Sequence, residues 1–257
     1  MADKEQPHIV VNDMTLAYGS NLIQRNVSFT VNHGDVFIIM GGSGCGKSTV
    51  MRGLTGLKPP SAGTIHYDGV DFYGTTDAMD RIRRNLGVMF QSGALWSSMT
   101  LAENVSLPLE QYTDLSPPKI RKLVSLKLSL VGLSGFENYY PSQISGGMRK
   151  RVGVARAMSM DPEVLFFDEP SAGLDPVSAR LLDDLILQLQ DSLKTTMVVV
   201  THELASIFSI ANNSVFLDPV TKTAIAHGDP KKLLAESDDP RVIKFLTRGE
   251  GRERRHS

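Results

Sequence analysis

Eight consecutive residues, Gly41-Gly42-Ser43-Gly44-Cys45-Gly46-Lys47-Ser48, follow the pattern G-x-x-x-x-G-K-[ST]. Residues of these types at this spacing suit a polyphosphate. The glycines let the main chain approach an anion closely, because no Cβ intervenes and positive φ costs little. Several backbone N–H groups and the positive end of the following helix dipole then converge on one spot. Lys47 has the reach and charge for β- and γ-phosphates, and the Ser48 hydroxyl is a ligand for Mg²⁺. At average residue usage a chance match in a chain this long occurs about once in a hundred sequences. A second centre is Asp168-Glu169, which closes the apolar run 164–167. Asp168 can hold the Mg²⁺ shell, and Glu169 is then placed to orient or deprotonate an attacking water. The third is Ser145-Gly146-Gly147-Met148, followed by the basic helix start Arg149-Lys150-Arg151.

These residues need particular elements beneath them. Residues 36–40 form an apolar run of buried-strand length before the loop, and 49–54 continue from it as a helix. The run 164–167 reads as a central parallel strand with its two acids at the carboxyl end, where ligands of such sheets collect. Strand patterns at 9–11, 14–16, 27–31 and 64–67, separated by turns, predict a mixed sheet beside the nucleotide core. A short polar helix at 80–84 and a strand at 86–90 follow. From residue 101 to about 160 the character is helical: Pro117-Pro118 starts one helix, and another runs from Gly146 to Met158. Strand–helix alternation then returns, with strands at 164–167 and 196–200, helices at 177–189 and 204–211, and a closing hairpin at 214–217 and 224–226. A short amphipathic helix lies at 242–246, and the basic tail 248–257 reads as disordered.

Composition narrows the class of protein. Hydrophobic residues make up 41% and charged ones 21%, an ordinary globular balance. A net charge of −1 gives no electrostatic footprint for nucleic acid, so none is expected as a partner. The single cysteine, Cys45, cannot form an internal disulfide, which suits a reducing compartment. Residues 1–7 are polar and lack the apolar stretch of a signal peptide, and no apolar run approaches the roughly 20 residues that cross a bilayer. Action on a membrane would therefore require another chain to do the spanning.

With its motifs in this order, the chain resembles the ATP-binding subunit of an ABC transporter, whose signature is written L-S-G-G-Q. The resemblance covers residues 9–226. It implies an α/β fold: a P-loop NTPase of the ABC ATPase type with an antiparallel β subdomain and a helical subdomain (about 92–160) inserted in a RecA-like core. The nucleotide-binding domain would span 8–247. By this resemblance Gly41, Gly42, Ser43, Gly44, Cys45, Gly46, Lys47, Ser48 and Thr49 hold the phosphates of ATP, and Tyr18 stacks on adenine. Ser48, Gln91 and Asp168 hold Mg²⁺. Lys47, Gln91, Glu169 and His202 are catalytic, with Gln91 linking the two lobes and His202 touching the γ-phosphate. Ser145, Gly146 and Gly147 contact the γ-phosphate held by a second copy, and Asp175, in the loop 171–175, crosses that dimer interface.

Within the family, the stretches 90–96, 145–151 and 239–246 resemble the ATPase of bacterial Mce-type lipid transporters, which maintain outer-membrane lipid asymmetry. Met148 departs from the generic glutamine but agrees with this branch, and Trp96 stands where phenylalanine is expected. The resemblance implies ATP hydrolysis coupled to phospholipid movement, on the cytoplasmic side of the bacterial inner membrane. The implied partners are a second copy, an integral-membrane permease, a periplasmic Mce-domain protein and a small regulatory subunit. The tail is expected to pack on the neighbouring ATPase. A polar-solute importer would share every catalytic element. A soluble cassette of iron–sulfur assembly would as well, whereas DNA-repair and translation cassettes carry insertions or a second cassette that this sequence lacks.

Overall fold

Strands whose residues are all apolar, without alternation, must be covered on both faces. In the computed structural model, which describes residues 6–248, the three such runs lie side by side in the middle of a six-stranded sheet. The elements in chain order are β1 (Ile9–Tyr18), β2 (Asn21–Val31), β3 (Val36–Gly41), α1 (Lys47–Leu54), β4 (Ala62–Tyr67), β5 (Val70–Asp71), α2 (Thr76–Arg84) and β6 (Leu86–Met89). Next come α3 (Leu101–Tyr112), α4 (Pro117–Leu130), α5 (Gly146–Ala157), β7 (Val164–Asp168), α6 (Pro176–Leu193), β8 (Thr196–Val200) and α7 (Leu204–Ile210). The last are β9 (Asn213–Asp218), β10 (Thr223–His227), α8 (Pro230–Glu236) and α9 (Pro240–Leu246).

The core sheet has the order β10-β9-β3-β8-β7-β6, parallel except for its antiparallel edge strand β10. Side chains alternate across it with period two. Ile38, Met40, Leu165, Phe167, Met197 and Val199 enter one hydrophobic cluster, shared with the helices. Phe37, Ile39, Val164, Phe166, Val198 and Val200 enter the other, against α1 and the second sheet. Because β3, β6, β7 and β8 run the same way, their carboxyl ends open on one edge, and the loops that follow them form the site.

The second sheet, β2-β1-β4-β5, is antiparallel throughout, which corrects the mixed sheet expected from the strand patterns. Tight turns join β1 to β2 and β4 to β5, and a parallel pair would need a crossover of a dozen or more residues. The apparent break between residues 11 and 14 is an irregularity within β1, where Asp13 takes φ 46° and shifts the register.

Helices α3, α4 and α5 make the inserted lobe. Thr100 and Glu103 cap α3 reciprocally, and Pro117 opens α4 at a position where its missing N–H costs nothing. Val152, Val154 and Ala155 of α5 carry the core cluster from the sheet into this lobe. Two short C-terminal helices each start on an Asp-Pro pair, and α8 was not anticipated. Helix α9 packs on its own chain, with Phe245 5.0 Å from Phe216 and Arg241 donating to Asp218 at 3.0 Å. The part of the tail beyond residue 248, expected to pack on a neighbouring ATPase, lies outside the described residues. No helix among the described residues is long and apolar enough to cross a membrane.

Candidate functional site

The phosphate loop is fixed by contacts that leave no room for side chains at two of its glycines. At Gly41 (φ 150°) a Cβ would lie 2.4 Å from the Leu217 carbonyl oxygen and 2.8 Å from the Cys45 sulfur. At Gly46 (φ 95°), the N-cap of α1, it would lie 2.6 Å from Ile23. Gln24 of β2 supports the loop from below, donating from Nε2 to the Cys45 carbonyl at 2.6 Å. Its chain position gave no hint of this role. Burial pushes the Cys45 thiol up, so a thiolate nucleophile is disfavoured there.

Lys47 is buried, and its ammonium donates to the carbonyls of Gly41 at 3.0 Å and Gly42 at 3.2 Å. The cation is thus held over the loop by its own main chain. Ser48 Oγ donates to Asp168 Oδ1 at 2.9 Å, joining the start of α1 to the end of β7. A hydroxyl and a carboxylate brought together in this way form an all-oxygen donor set, which fits a hard divalent cation such as Mg²⁺.

Glu169 follows β7 with φ 48°, a left-handed conformation unusual for a residue with a side chain. Its N–H donates to the Val200 carbonyl at 2.8 Å, which fixes the turn on β8. Strain of this kind persists only where surrounding contacts over-determine it. The carboxylate, 12% exposed, accepts from His202 Nδ1 at 2.9 Å and 3.0 Å. An ionised carboxylate only accepts, so Nδ1 carries the proton in this pair.

Met89 of β6 pairs with Phe167 of β7, so the chain after β6 emerges beside Glu169. Gln91 is held there through its main-chain carbonyl, which accepts from Lys150. Its exposed side chain makes no hydrogen bond to Ser48 or Asp168, so the structure does not bring it into the Ser48–Asp168 pair. Tyr18 ends β1, with Arg52 donating to its hydroxyl at 3.3 Å and Lys58 over its ring at 4.7 Å. The Arg52 bond lowers the phenol's pKa.

The signature residues sit elsewhere. Ser145 is exposed and caps α5, accepting from the Met148 N–H at 3.2 Å while its own hydroxyl proton stays available. Both glycines face the start of α6 and the loop before it: a Cβ on Gly147 would lie 3.6 Å from Ser178, and one on Gly146 3.9 Å from Leu174 and 3.7 Å from the Arg149 guanidinium of its own helix. Asp175 caps α6 by accepting from the N–H groups of Val177 and Ser178, each at 3.0 Å. Its bonds to Ser178 lower its pKa. Lys47, Ser48, Asp168, Glu169 and His202 therefore form one cluster, and Ser145, Gly146, Gly147 and Asp175 another.

One histidine–carboxylate group lies at the opposite, amino-terminal edge of the core sheet, where His8 and His33 flank Asp68. Their rings stack at 4.0 Å with 17° between planes, and Asp68 Oδ1 lies 2.8 Å from His33 Nε2. Burial drives the His8 pKa down to about 4, with Thr196 Oγ1 2.8 Å from its Nδ1.

The family described as ABC transporter matches residues 24–172 of the chain. The "Intermembrane phospholipid transport system ATP-binding protein MlaF" of Escherichia coli is 38% identical over 241 residues, covering 92% of this chain and 87% of that one. The "Probable ribonucleotide transport ATP-binding protein mkl" of Mycobacterium tuberculosis is 40% identical over 239 residues. The alignment covers 93% of this chain, and the chain spans 66% of that protein's length. Among solved structures, the dimeric post-hydrolysis state of the ATP-binding cassette MJ0796, bound to ADP and Pi, superposes with a TM-score of 0.77 at 28% identity. That match covers 86% of this chain and 98% of the other.

Proposed function

The chain belongs to the ABC transporter family, and on that premise we propose that it is the ATP-hydrolysing subunit of a transporter that moves phospholipid between the inner membrane and periplasmic or outer-membrane carriers. The observation that carries the ATPase reading is the separation of the site into two clusters. One holds a phosphate loop, a Mg²⁺-type donor pair and an acid backed by a histidine. The other presents a helix N-terminus with an exposed serine and two glycines.

In this reading ATP is the substrate, and the phosphates lie on the loop 41–49 with Lys47 toward the β- and γ-phosphates. Ser48 and Asp168 hold Mg²⁺, which neutralises charge on the transferred group, and Gln91 completes that shell when its side chain turns inward. Glu169 accepts the proton of the attacking water, and His202 holds the Glu169 carboxylate until the γ-phosphate is present. Tyr18 stacks on the adenine, sharing its ring with Lys58. Ser145, Gly146 and Gly147 complete the pocket of a second copy, with the loop ending at Asp175 between them. The dimeric MJ0796 cassette supports this arrangement. Only the triphosphate state gains contacts from the partner's signature, so hydrolysis shifts the population from closed to open.

The permease contact fits a groove of about 650 Å³ between α2 and α3, lined by Leu57, Arg83, Phe90 and Tyr112 among others. Leu57 and Tyr112 are 59% and 61% exposed and, with exposed Phe90, gather apolar surface in this one groove. The subunit would then act peripherally on the cytoplasmic face, with a periplasmic Mce-domain protein and a small regulatory subunit as further partners. The lipid reading rests on the identity to MlaF across nearly the full length of both chains. The mkl relative, similar over only part of its length, supports ribonucleotide as the second reading.

Two measurements test this. Glu169→Gln should bind ATP, stop turnover and give a dimer stable in ATP by size-exclusion chromatography; a variant that stays monomeric with ATP, both alone and with its permease, refutes the two-copy site. Mass spectrometry of the complex purified from membranes should find bound phospholipid, and bound ribonucleotide cargo in its place would favour the second reading.

A further inference from the structure

Lys150 is a buried lysine on α5, five residues after the signature serine, and it belongs to neither cluster described above. Burying an ammonium is costly unless acceptors surround it. Its acceptors are two main-chain carbonyls: that of Gln91, and that of Glu169 at 3.4 Å. Both carbonyls belong to residues whose side chains serve the ATP site. The carboxylates of Glu169 and Asp168 favour its charged form, opposing the burial that depresses its pKa.

The rest of α5 grips the same loop. Arg156 donates to the carbonyls of Ala94 at 2.7 Å and Gly93 at 3.0 Å. A Cβ on Gly153 would lie 3.1 Å from the Gly93 Cα, so helix and loop meet main chain to main chain. Gly93 and Ala94 have φ of 74° and 48°, and Glu169 has 48°, so the gripped segments are turns in unusual conformations. Helix α5 thus has Ser145 at its start, Lys150 along its buried side and Arg156 near its end.

We propose that Lys150 is a positioning residue that ties the signature helix to the main chain of Gln91 and of Glu169, so that a shift of the helical lobe moves the water-activating acid and the Mg²⁺-sensing glutamine together. This rests on the ATPase reading for its consequence but on the observed bonds for its mechanics. Arg156 shares the grip on the loop but reaches neither Gln91 nor Glu169. Among the described residues Lys150 is the side chain that donates to both segments, which makes it the place where lobe motion meets the acid pair.

The test uses the full chain carrying Lys150→Met, which keeps the length and removes the charge and its donors. Fluorescent-ATP affinity should stay within about threefold of wild type, while kcat drops about tenfold or more at nearly constant KM. The Mg²⁺ concentration for half-maximal turnover should rise several-fold. Without nucleotide, amides of residues 91–96 should exchange about tenfold faster, with those of α1 unchanged. Lys150→Gln, which keeps a donor, should recover part of both effects. Wild-type kcat together with wild-type exchange in Lys150→Met overturns the proposal. So does a matched loss of affinity, turnover and melting temperature, which marks a purely structural role. If Lys150→Met does not fold, Lys150→Gln carries the test by the same readings. A wild-type chain with no ATP turnover would refute the ATPase reading, while the exchange measurement would still decide whether Lys150 ties the segments.

Discussion

The two halves of the site are built differently. The phosphate-loop half is internally satisfied: Lys47 is bonded to its own loop, Ser48 to Asp168, and Glu169 to His202, all on loops leaving central strands. The signature half is held by helix caps, Ser145 on α5 and Asp175 on α6, and by Arg149 on the Ile144 carbonyl, and it leaves Ser145 exposed. The first is a preformed receptor. On the proposed reading, the second is a surface completed when another copy presents a γ-phosphate. That reading assigns nucleotide binding to one copy and turnover to two.

The most damaging way to break the comparison is at the preformed half. Lys47→Ala removes its central cation and should lower steady-state phosphate release by about 10²–10³-fold, the usual scale for losing a transition-state donor. Undiminished turnover would remove Lys47 from its assigned role. The signature half answers to Gly147→Asp. Its added Cβ has room beside Ser178, so the fold should hold. A carboxylate facing a partner's triphosphate should cut turnover about a hundredfold by repulsion, and leave single-chain affinity within about threefold. Equal losses in both would mean that the two halves are not separable.

A smaller effect probes where the halves touch. Helix α6 starts beside the signature at Asp175, and α7 starts just past His202; buried Asp183 of α6 meets Ser206 of α7 between them. One carboxylate oxygen of Asp183 has no partner. Burial pushes its pKa up to about 6, against about 3.9 unfolded. The folded chain then binds the extra proton between about pH 4 and 6, so stability falls as pH rises through that window and stays lowered above it. Asp183→Asn should accordingly add about 1–2 kcal/mol at pH 8 and nothing near pH 4, read from urea midpoints. A gain that does not vary with pH would assign the effect to packing.

Much of this could be read along the chain. The loop 41–48, the acids 168 and 169 and the start of α5 at Gly146 are each legible as a pattern of a few consecutive residues. So is the pair β9 and β10, whose partners are close in sequence. The start of α2 at Thr76, earlier than the polar run suggested, and the whole of α8 were missed, although Thr75, Asp229 and Pro230 are ordinary helix-start residues. Gln24 and Lys150 were not legible, because a glutamine in a strand and a lysine in a basic run read as solvated side chains. What makes them structural is a carbonyl brought from elsewhere in the chain.

By itself, the order of residues determined which chemistry is present: a glycine-rich anion loop, a strand ending in two acids, and a serine–glycine helix start. Spacing along a chain is enough for that, since each motif is a set of residue types within a few consecutive positions. The tertiary structure alone decided which of these residues meet. It placed Glu169 in a left-handed turn against His202, kept Ser145 and Gly147 away from that cluster, and directed the Lys150 ammonium to two carbonyls, because strand order and lobe packing set those distances.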